Sequence, residues 1–234
     1  MNIPEEPLRE FGSKAPRPKD AATLIIYRFG QNHLEILMGE RHRKHKFLPQ
    51  RYVFPGGRVD TEDSRVRYAT PIRGDVEELL IRRTTTARAR ALVAAAIRET
   101  YEETGLTLGK TDPDPTKNVP KNWKNFFATG LAPSFEEIDY VARAVTPHWR
   151  PIRFNARFFM VNYKHLTGEM SGSGELLNLK FMSVVETKKL ELPLITTRVL
   201  ELVENLVPQT PKPKRKKHVI LFKHNGKFHE MIQE

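Results

Sequence analysis

Three glutamates stand at helical spacing in the stretch Ile97–Leu106, which reads IRETYEETGL. Residues three and four apart share one face of an α-helix, so Glu99, Glu102 and Glu103 would form an acidic surface about one turn tall. Like charges at this spacing repel each other. A hard divalent cation among the carboxylates would offset that repulsion, because Mg²⁺ prefers oxygen ligands. Arg98 precedes Glu102 by one turn and could orient its carboxylate. The alternative is an ordinary acidic helix surface.

The flanking residues favour the chemical interpretation. A strand ending in Val53-Phe54-Pro55-Gly56-Gly57 runs into a tight glycine turn, and Gly105 marks a helix stop. The string R-E-x-x-E-E-x-G-L, residues 98–106, resembles the core of the Nudix box, and Gly57 and Asp63 stand where the box has its first glycine and first glutamate. This chain departs from the box by having an Asp at position 63, Thr100 instead of a bulky apolar residue, and 34 residues (64–97) where the box has seven. A branch of the family that includes coenzyme A diphosphatases carries such an insertion.

The resemblance implies roles for individual residues. Glu99, Glu102 and Glu103 would hold Mg²⁺ or Mn²⁺ together with the Gly57 carbonyl. The general base would be Glu99 or Glu102, or else Glu175 at the end of a polar loop. The implied reaction is hydrolysis of the diphosphate linkage in a nucleoside diphosphate derivative. Coenzyme A, ADP-ribose, NADH and dinucleoside polyphosphates are the candidate substrates, although the longer coenzyme A signature is not clearly present in residues 39–53.

Basic and aromatic residues outside the helix are candidates for substrate binding. Arg41 opens a basic run, residues 41–46, that leads into the glycine loop. Arg143 and Arg157 flank a Pro-rich turn that contains Trp149, in a segment that resembles the RAxTP–RFxxRFF stretch of the inserted Nudix branch. Guanidinium groups suit phosphate geometry, and an indole can stack on a base. The alternative is a set of surface or loop residues that assist only in electrostatic steering.

Composition limits the function classes. The chain has 234 residues, a net charge of +11 and no cysteine, which excludes disulfides, thiolate metal sites and cysteine nucleophiles. The positive charge favours anionic partners, and five of the charges lie within 212–217. We expect a small nucleotide as substrate, nucleic acid only through that basic run, and a possible homodimer. The N-terminus lacks an apolar secretory segment and no transmembrane run is evident, so we expect a cytoplasmic protein without a membrane partner.

The alternation of strand and helix patterns predicts an α/β protein. The resemblance, which covers roughly residues 20–206, implies a Nudix-type α/β/α sandwich with a mixed sheet. We expect an N-terminal arm over 1–19, the Nudix domain over 20–206 with an insertion over 61–85, and a basic linker and C-terminal β-hairpin over 207–234. The patterns predict several main elements: strands Ala22–Phe29, Leu34–Met38, Ile138–Val145, Phe158–Val161 and Asn178–Val184, and helices over 87–104 and Thr196–Leu206.

Two other functions remain open at this point. A Nudix domain can serve as a non-catalytic nucleotide-sensing module, although such modules often lose the glutamates that this chain keeps. The 212–217 run could instead contact RNA, which would suit an RNA 5′-end pyrophosphohydrolase.

Overall fold

A computed structural model describes residues 8–10, 12–30, 33–44, 48–114, 116–172, 174–207, 218–224 and 229–234. The basic run 212–217 and residues 225–228 of the predicted C-terminal hairpin lie outside these ranges. Part of the basic run that begins at Arg41 also lies outside them.

The described residues form strands β1 Lys19–Phe29, β2 Leu34–Arg41, β3 Tyr52–Val53, β4 Gly56–Arg58, β5 Gly109–Thr111, β6 Leu131–Pro133, β7 Asp139–Val145, β8 Phe154–Asn162, β9 Leu176–Ser183, β10 Ile220–His224 and β11 His229–Gln233. Nine of these strands join in one mixed sheet, in the order β11-β10-β7-β8-β1-β2-β3, with β4 added on β1 and β9 on β2. Strands β1 and β8 pair in parallel, as do β7 and β10, whereas β1 and β2 form an antiparallel hairpin. Strands β5 and β6 form a separate pair.

Helices cover both faces of the sheet. They are α1 Gly74–Ile81, α2 Thr86–Thr104, α3 Lys124–Phe127, α4 Val184–Thr187 and α5 Leu194–Leu206. Successive residues of β1 point to opposite faces, so Leu24 and Ile26 pack in the core with α2, whereas Ile25 packs in the core with α5. The architecture is therefore the predicted α/β/α sandwich.

Helix α2 is fixed at both ends by local sequence. The Thr85 side chain accepts a hydrogen bond from the backbone N–H of Arg88 (3.2 Å), which caps the first turn. Gly105 ends the helix in the left-handed conformation, with φ at 74°. Between these ends, Val93, Ala96, Ile97 and Thr100 share one face and are fully buried. The buried face holds the helix against β1 and places its last two turns beside the glycine loop.

The segment predicted as an insertion contributes to the core. Residues Thr61–Ser64 form a short 3₁₀ helix, and α1 buries Val76, Leu79 and Leu80 in the same apolar cluster as α2. The predicted C-terminal hairpin also forms, as β10 and β11, and it extends the main sheet through the parallel pairing of β10 with β7.

None of the helices formed by the described residues is long and apolar enough to cross a bilayer.

Candidate active site

The glycine loop and the last two turns of α2 meet at two close contacts. The Gly56 N–H donates to the carboxylate of Glu103, with 2.8 Å between nitrogen and Oε2. The Glu99 carboxylate lies against Gly57, where a Cβ atom would be only 2.3 Å from Glu99 Cδ. Glu99 and Glu103 are one turn apart on α2, so the two carboxylates lie side by side against the loop.

A buried ion pair holds the acidic turn in place. Arg98, 3% exposed, donates through Nε and Nη2 to both carboxylate oxygens of Asp63, at 2.9 and 3.1 Å. The Arg98 Nη1 atom is 2.9 Å from Glu102 Oε2 and 3.0 Å from Glu99 Oε1. The indole N–H of Trp123 donates to Asp63 Oδ1 at 3.0 Å. Arg98 thus orients Glu102, as its position one turn earlier predicts, and Asp63 and Trp123 hold Arg98.

Glu102 is more exposed than Glu99 and Glu103, and it faces an open cleft. Its side chain is 42% exposed, and the cleft has a volume of about 930 Å³. The walls come from the end of α2, the α3 region and the loop before β9. The described lining residues are Tyr101, Glu102, Gly105, Thr107, Asn125, Thr129, Leu131, Thr167, Gly168, Glu169, Ser171, Gly172 and Glu175.

Arg41 and Glu175 complete the surroundings of the acidic cluster. Arg41, at the end of β2, interacts electrostatically with Glu103, Glu99 and Glu175. The backbone carbonyl of Glu175 accepts from the His42 N–H at 3.1 Å, and this bond ties the loop to the end of β2. The structure therefore brings two predicted site residues, Arg41 and Glu175, beside the predicted glutamates.

The buried carboxylates are electrostatically unfavourable in their charged form. Burial raises the pKa of Glu103 to about 8, with Glu99 adding to the shift and the Gly56 N–H opposing it. Burial raises the pKa of Glu99 to about 7, although the Arg98 charge opposes that change. Burial by itself would lower the pKa of Arg98, but its bonds to Asp63 and the nearby carboxylates raise the pKa overall. Burial also lowers the pKa of Arg41, against the attraction of the glutamates.

These residues fit a divalent cation by the chemistry of the donor set. Burial raises the pKa of the adjacent Glu99 and Glu103 carboxylates, and a cation beside them would favour their charged form. Oxygen donors suit Mg²⁺ and Mn²⁺. In the part of the chain that the structure describes, no group of three or more acidic or His side chains is already arranged around a metal position. Glu102 Oε2 and Glu99 Oε1 both lie within 3.0 Å of Arg98 Nη1, so the Glu102 carboxylate is also close to Glu99.

Arg143, Arg157 and Trp149 contact groups other than the three glutamates. Arg157 donates to Asp20 Oδ1 at 3.0 Å, and Asp20 also binds Arg88 in the first turn of α2. Arg157 lies opposite Ala22 of β1, which pairs on its other side with Gly57, so one strand separates Arg157 from the glycine loop. Arg143 donates to Asn155 and to the Glu234 carboxylate, and the Trp149 ring packs against His224 of β10. Substrate binding by these three residues stays a prediction.

Sequence reasoning missed two features of the site. Trp123 is fully buried, and it also supplies the hydrogen bond to Asp63. Tyr101 packs against the core, and it also lines the cleft and donates to the Asn125 carbonyl at 3.0 Å. Asp63 did carry a signal, since it occupies the position of an acid in the Nudix box.

Several solved protein structures are similar to this chain in fold. A Nudix hydrolase from Alicyclobacillus acidocaldarius superposes with a TM-score of 0.61 and 26% identity, over 81% of this chain and 92% of that chain. The MutT protein from Methanosarcina mazei Go1 is more distant, with a TM-score of 0.48 and 16% identity over 82% of this chain and 98% of that chain. The NUDIX domain of Shewanella oneidensis NrtR complexed with ADP ribose has a TM-score of 0.46 and 9% identity over 82% of this chain and 90% of that chain. No protein-family model and no curated protein matches the chain.

The resemblance to Nudix hydrolases has three supports. The segment at the end of α2 resembles the central Nudix motif, the fold is the expected sandwich, and the Alicyclobacillus protein matches over most of both chains. The relation to the inserted, coenzyme A diphosphatase-like branch stays a prediction. The chain is similar to Nudix hydrolases in its fold and in its central motif.

Proposed function

We propose that this chain hydrolyses the diphosphate linkage of a nucleoside diphosphate derivative and that it needs Mg²⁺ or Mn²⁺. The observation that carries the proposal is the pair of adjacent carboxylates, the partly buried Glu99 and the buried Glu103, held against the Gly56-Gly57 loop beside an open cleft. Glu102 would be a third ligand, with the Gly57 carbonyl as a further ligand by resemblance to the family.

Each side chain has a task in this scheme. Bound cations would neutralise the diphosphate oxygens and lower the pKa of a water molecule. Arg98, fixed by Asp63, keeps Glu102 at the mouth of the cleft, and Arg41 lies where it can bind a phosphate group. The attacking water would lose a proton to a carboxylate, for which Glu99, Glu102 and Glu175 are the candidates. The water oxygen would bond to one phosphorus and the bond to the bridging oxygen would break, giving a nucleotide and a phosphorylated remainder.

A substrate panel with product identification tests this proposal. The purified chain is incubated with ADP-ribose, NADH, coenzyme A and a dinucleoside tetraphosphate, each with Mg²⁺, with Mn²⁺ or with EDTA. We expect hydrolysis of at least one of them only with metal, and a loss of roughly two orders of magnitude or more in Glu103→Gln with folding retained. Glu204→Gln, on α5 across the sheet, is the matched control. Full activity in EDTA or in Glu103→Gln refutes the proposal.

The panel also addresses the alternatives. Release of 3′,5′-ADP from coenzyme A would support the inserted branch. Tight binding of ADP-ribose without turnover under any metal condition would favour a sensing module. The RNA-directed alternative depends on the 212–217 run, and deletion of that run should then abolish activity on a 5′-triphosphorylated RNA. Cytoplasmic location and homodimer formation stay predictions.

A further inference from the structure

Strand β11 lies at one end of the sheet and leaves a row of backbone groups open. Val219 and Glu234 exchange two backbone hydrogen bonds, at 3.2 and 2.8 Å, so the N–H and C=O groups of Glu234 point toward β10. This direction alternates from residue to residue along an antiparallel strand. Three residues of β11 therefore direct their N–H and C=O groups away from β10: His229, Met231 and Gln233. Among the strands of the described residues, none pairs with β11 on that outer side.

The other end of the sheet carries features that hinder further pairing. Edge strand β9 contains the exposed Lys180, and Asn178 in the same strand has a φ of 51°. The register of β9 against β2 also shifts between Met38 and Glu40. Lysines and irregular backbone of this kind keep an edge strand from pairing with another chain. Strand β11 has an unbroken register with β10 and contains no Lys, Arg or Pro, so its edge lacks these protections.

The middle of β11 presents an apolar side chain with little charge around it. Met231 is 58% exposed and shares a face of the sheet with its cross-strand partner Phe222, which packs against the core on the α5 side. Glu230 is the one formally charged residue of β11 when His is neutral, and its carboxylate lies 3.8 Å from Lys223 Nζ. The strand thus combines open hydrogen-bonding groups with an apolar centre and a neutralised charge.

We propose that β11 pairs antiparallel with β11 of a second copy of this chain, about a twofold axis at Met231. In this register Met231 lies opposite the same residue of the second copy, and His229 lies opposite Gln233. Each outward N–H then meets an outward C=O, which completes a ladder of hydrogen bonds between the two copies. The same strand is used on both sides, as in the isologous interface of a symmetric dimer.

The side chains favour a second copy as the occupant of this edge. Phe222 and Met231 of the two copies would form one apolar row across the axis, because cross-strand partners share a face of the sheet. Glu230 would lie opposite Ile232 of the second copy, so no two like charges face each other. The inference goes beyond the proposed hydrolase function and does not depend on it.

Sedimentation equilibrium of the whole chain up to about 200 µM detects dimers with a Kd as weak as roughly 1 mM. We expect a concentration-dependent dimer. Met231→Lys should weaken the association at least about tenfold, because it brings two ammonium groups together at the axis. Val185→Lys is the matched control, since it changes another exposed apolar side chain, on α4, and should leave the dimer unchanged. Urea denaturation of both variants shows whether they keep the wild-type stability.

Disulfide formation tests the register, because the chain has no cysteine of its own. Opposed residues of a hydrogen-bonded antiparallel pair have Cα atoms about 5.5 Å apart, within the range that a disulfide spans. Met231→Cys should therefore cross-link the two copies on mild oxidation. In Gln233→Cys the two substituted positions would be four residues apart along the strands, or about 13 Å, so this variant should not cross-link.

Three results would overturn the inference. A wild-type chain that stays monomeric at the highest concentration would leave the edge to a segment of the same chain or to a peptide of another protein. A dimer that Met231→Lys does not weaken would form through a different surface. Cross-linking of Gln233→Cys as readily as Met231→Cys would refute the register. None of these measurements depends on hydrolysis, so the inference and the proposed function can fail separately.

Discussion

The carboxylate of Glu99 occupies the space that a side chain at position 57 would need. A Cβ atom at Gly57 would lie 2.3 Å from Glu99 Cδ and 2.4 Å from each of its oxygens. Gly57→Ala should therefore displace the carboxylate, and we expect activity to fall roughly 10²-fold because small displacements of catalytic groups are costly. Steady-state kinetics with the substrate found in the panel measures the loss.

Gly74→Ala is the matched control for that variant. Gly74 is the first residue of α1, and a Cβ atom there has no neighbour within 4 Å. We expect its activity to equal that of the wild type. A fully active Gly57→Ala enzyme would mean that Glu99 does not need its observed position.

The Asp63–Arg98 pair should contribute to both stability and activity. Asp63→Asn leaves Arg98 without its main buried counter-ion, so we expect the free energy of unfolding to fall by about 3 kcal/mol. Urea denaturation measures this change. Glu201→Gln removes an exposed ion pair with Arg198 and should cost less than about 1 kcal/mol. Equal stability of Asp63→Asn and the wild type would contradict the role given to this pair.

Single residues were predictable where the signal was local. Helical spacing was enough to bring Glu99, Glu102 and Glu103 to the end of α2 and to pair Arg98 with Glu102. Arg41 and Glu175 also lie beside the cluster. Arg143 and Arg157 form ion pairs with Glu234 and Asp20, and the sequence did not reveal these partners because they are distant along the chain. The Trp123–Asp63 hydrogen bond joins residues 60 positions apart, whereas helix and strand periodicity predicts contacts only between residues close in sequence.

At the scale of elements, the C-terminal hairpin is more than an appendage to the sheet. Leu221 of β10 is 7% exposed, and its strand pairs in parallel with β7. Leu221→Ala should lower the free energy of unfolding by about 2 to 4 kcal/mol through lost burial and a cavity. Met231→Ala, in the partner strand, changes a side chain that is 58% exposed, so it should cost under about 1 kcal/mol. Thermal or urea unfolding of the two variants compares them directly, and equal losses would contradict the hairpin's packing role.

Elements with strong local patterns were predicted well. Helix α2, the β1–β2 hairpin and α5 agree with their predicted ranges to within a few residues. The sequence did not reveal that β1 pairs with β8 or that β10 pairs with β7, because parallel pairing joins distant segments. The sequence also did not reveal that α1 packs in the core, because the core residues that contact α1 are distant along the chain.

At the scale of the whole molecule, the glutamates should make the metal-free protein less stable as pH rises. The pKa values of Glu99 and Glu103 are about 7 and about 8 in the folded chain, above the value of 4.5 for a free side chain. Between these limits the folded state binds more protons than the unfolded state, so the free energy of unfolding falls as pH increases. Urea denaturation in EDTA from pH 5 to 8 measures the slope.

The double variant Glu99→Gln/Glu103→Gln isolates this contribution, because the other titrating groups are unchanged. We expect the free energy of unfolding of the double variant to fall less steeply with pH and to exceed that of the wild type at pH 8 in EDTA. The same decline in the double variant would show that other groups cause it.

The central claim is that Glu99 and Glu103 hold divalent cations against the glycine loop, and anomalous diffraction from Mn²⁺-soaked crystals tests it most directly. The account predicts a manganese peak within coordination distance of both carboxylates and of the Gly56-Gly57 loop, and no such peak in crystals of Glu103→Gln. Crystals of the wild type with no manganese at these two side chains would contradict it.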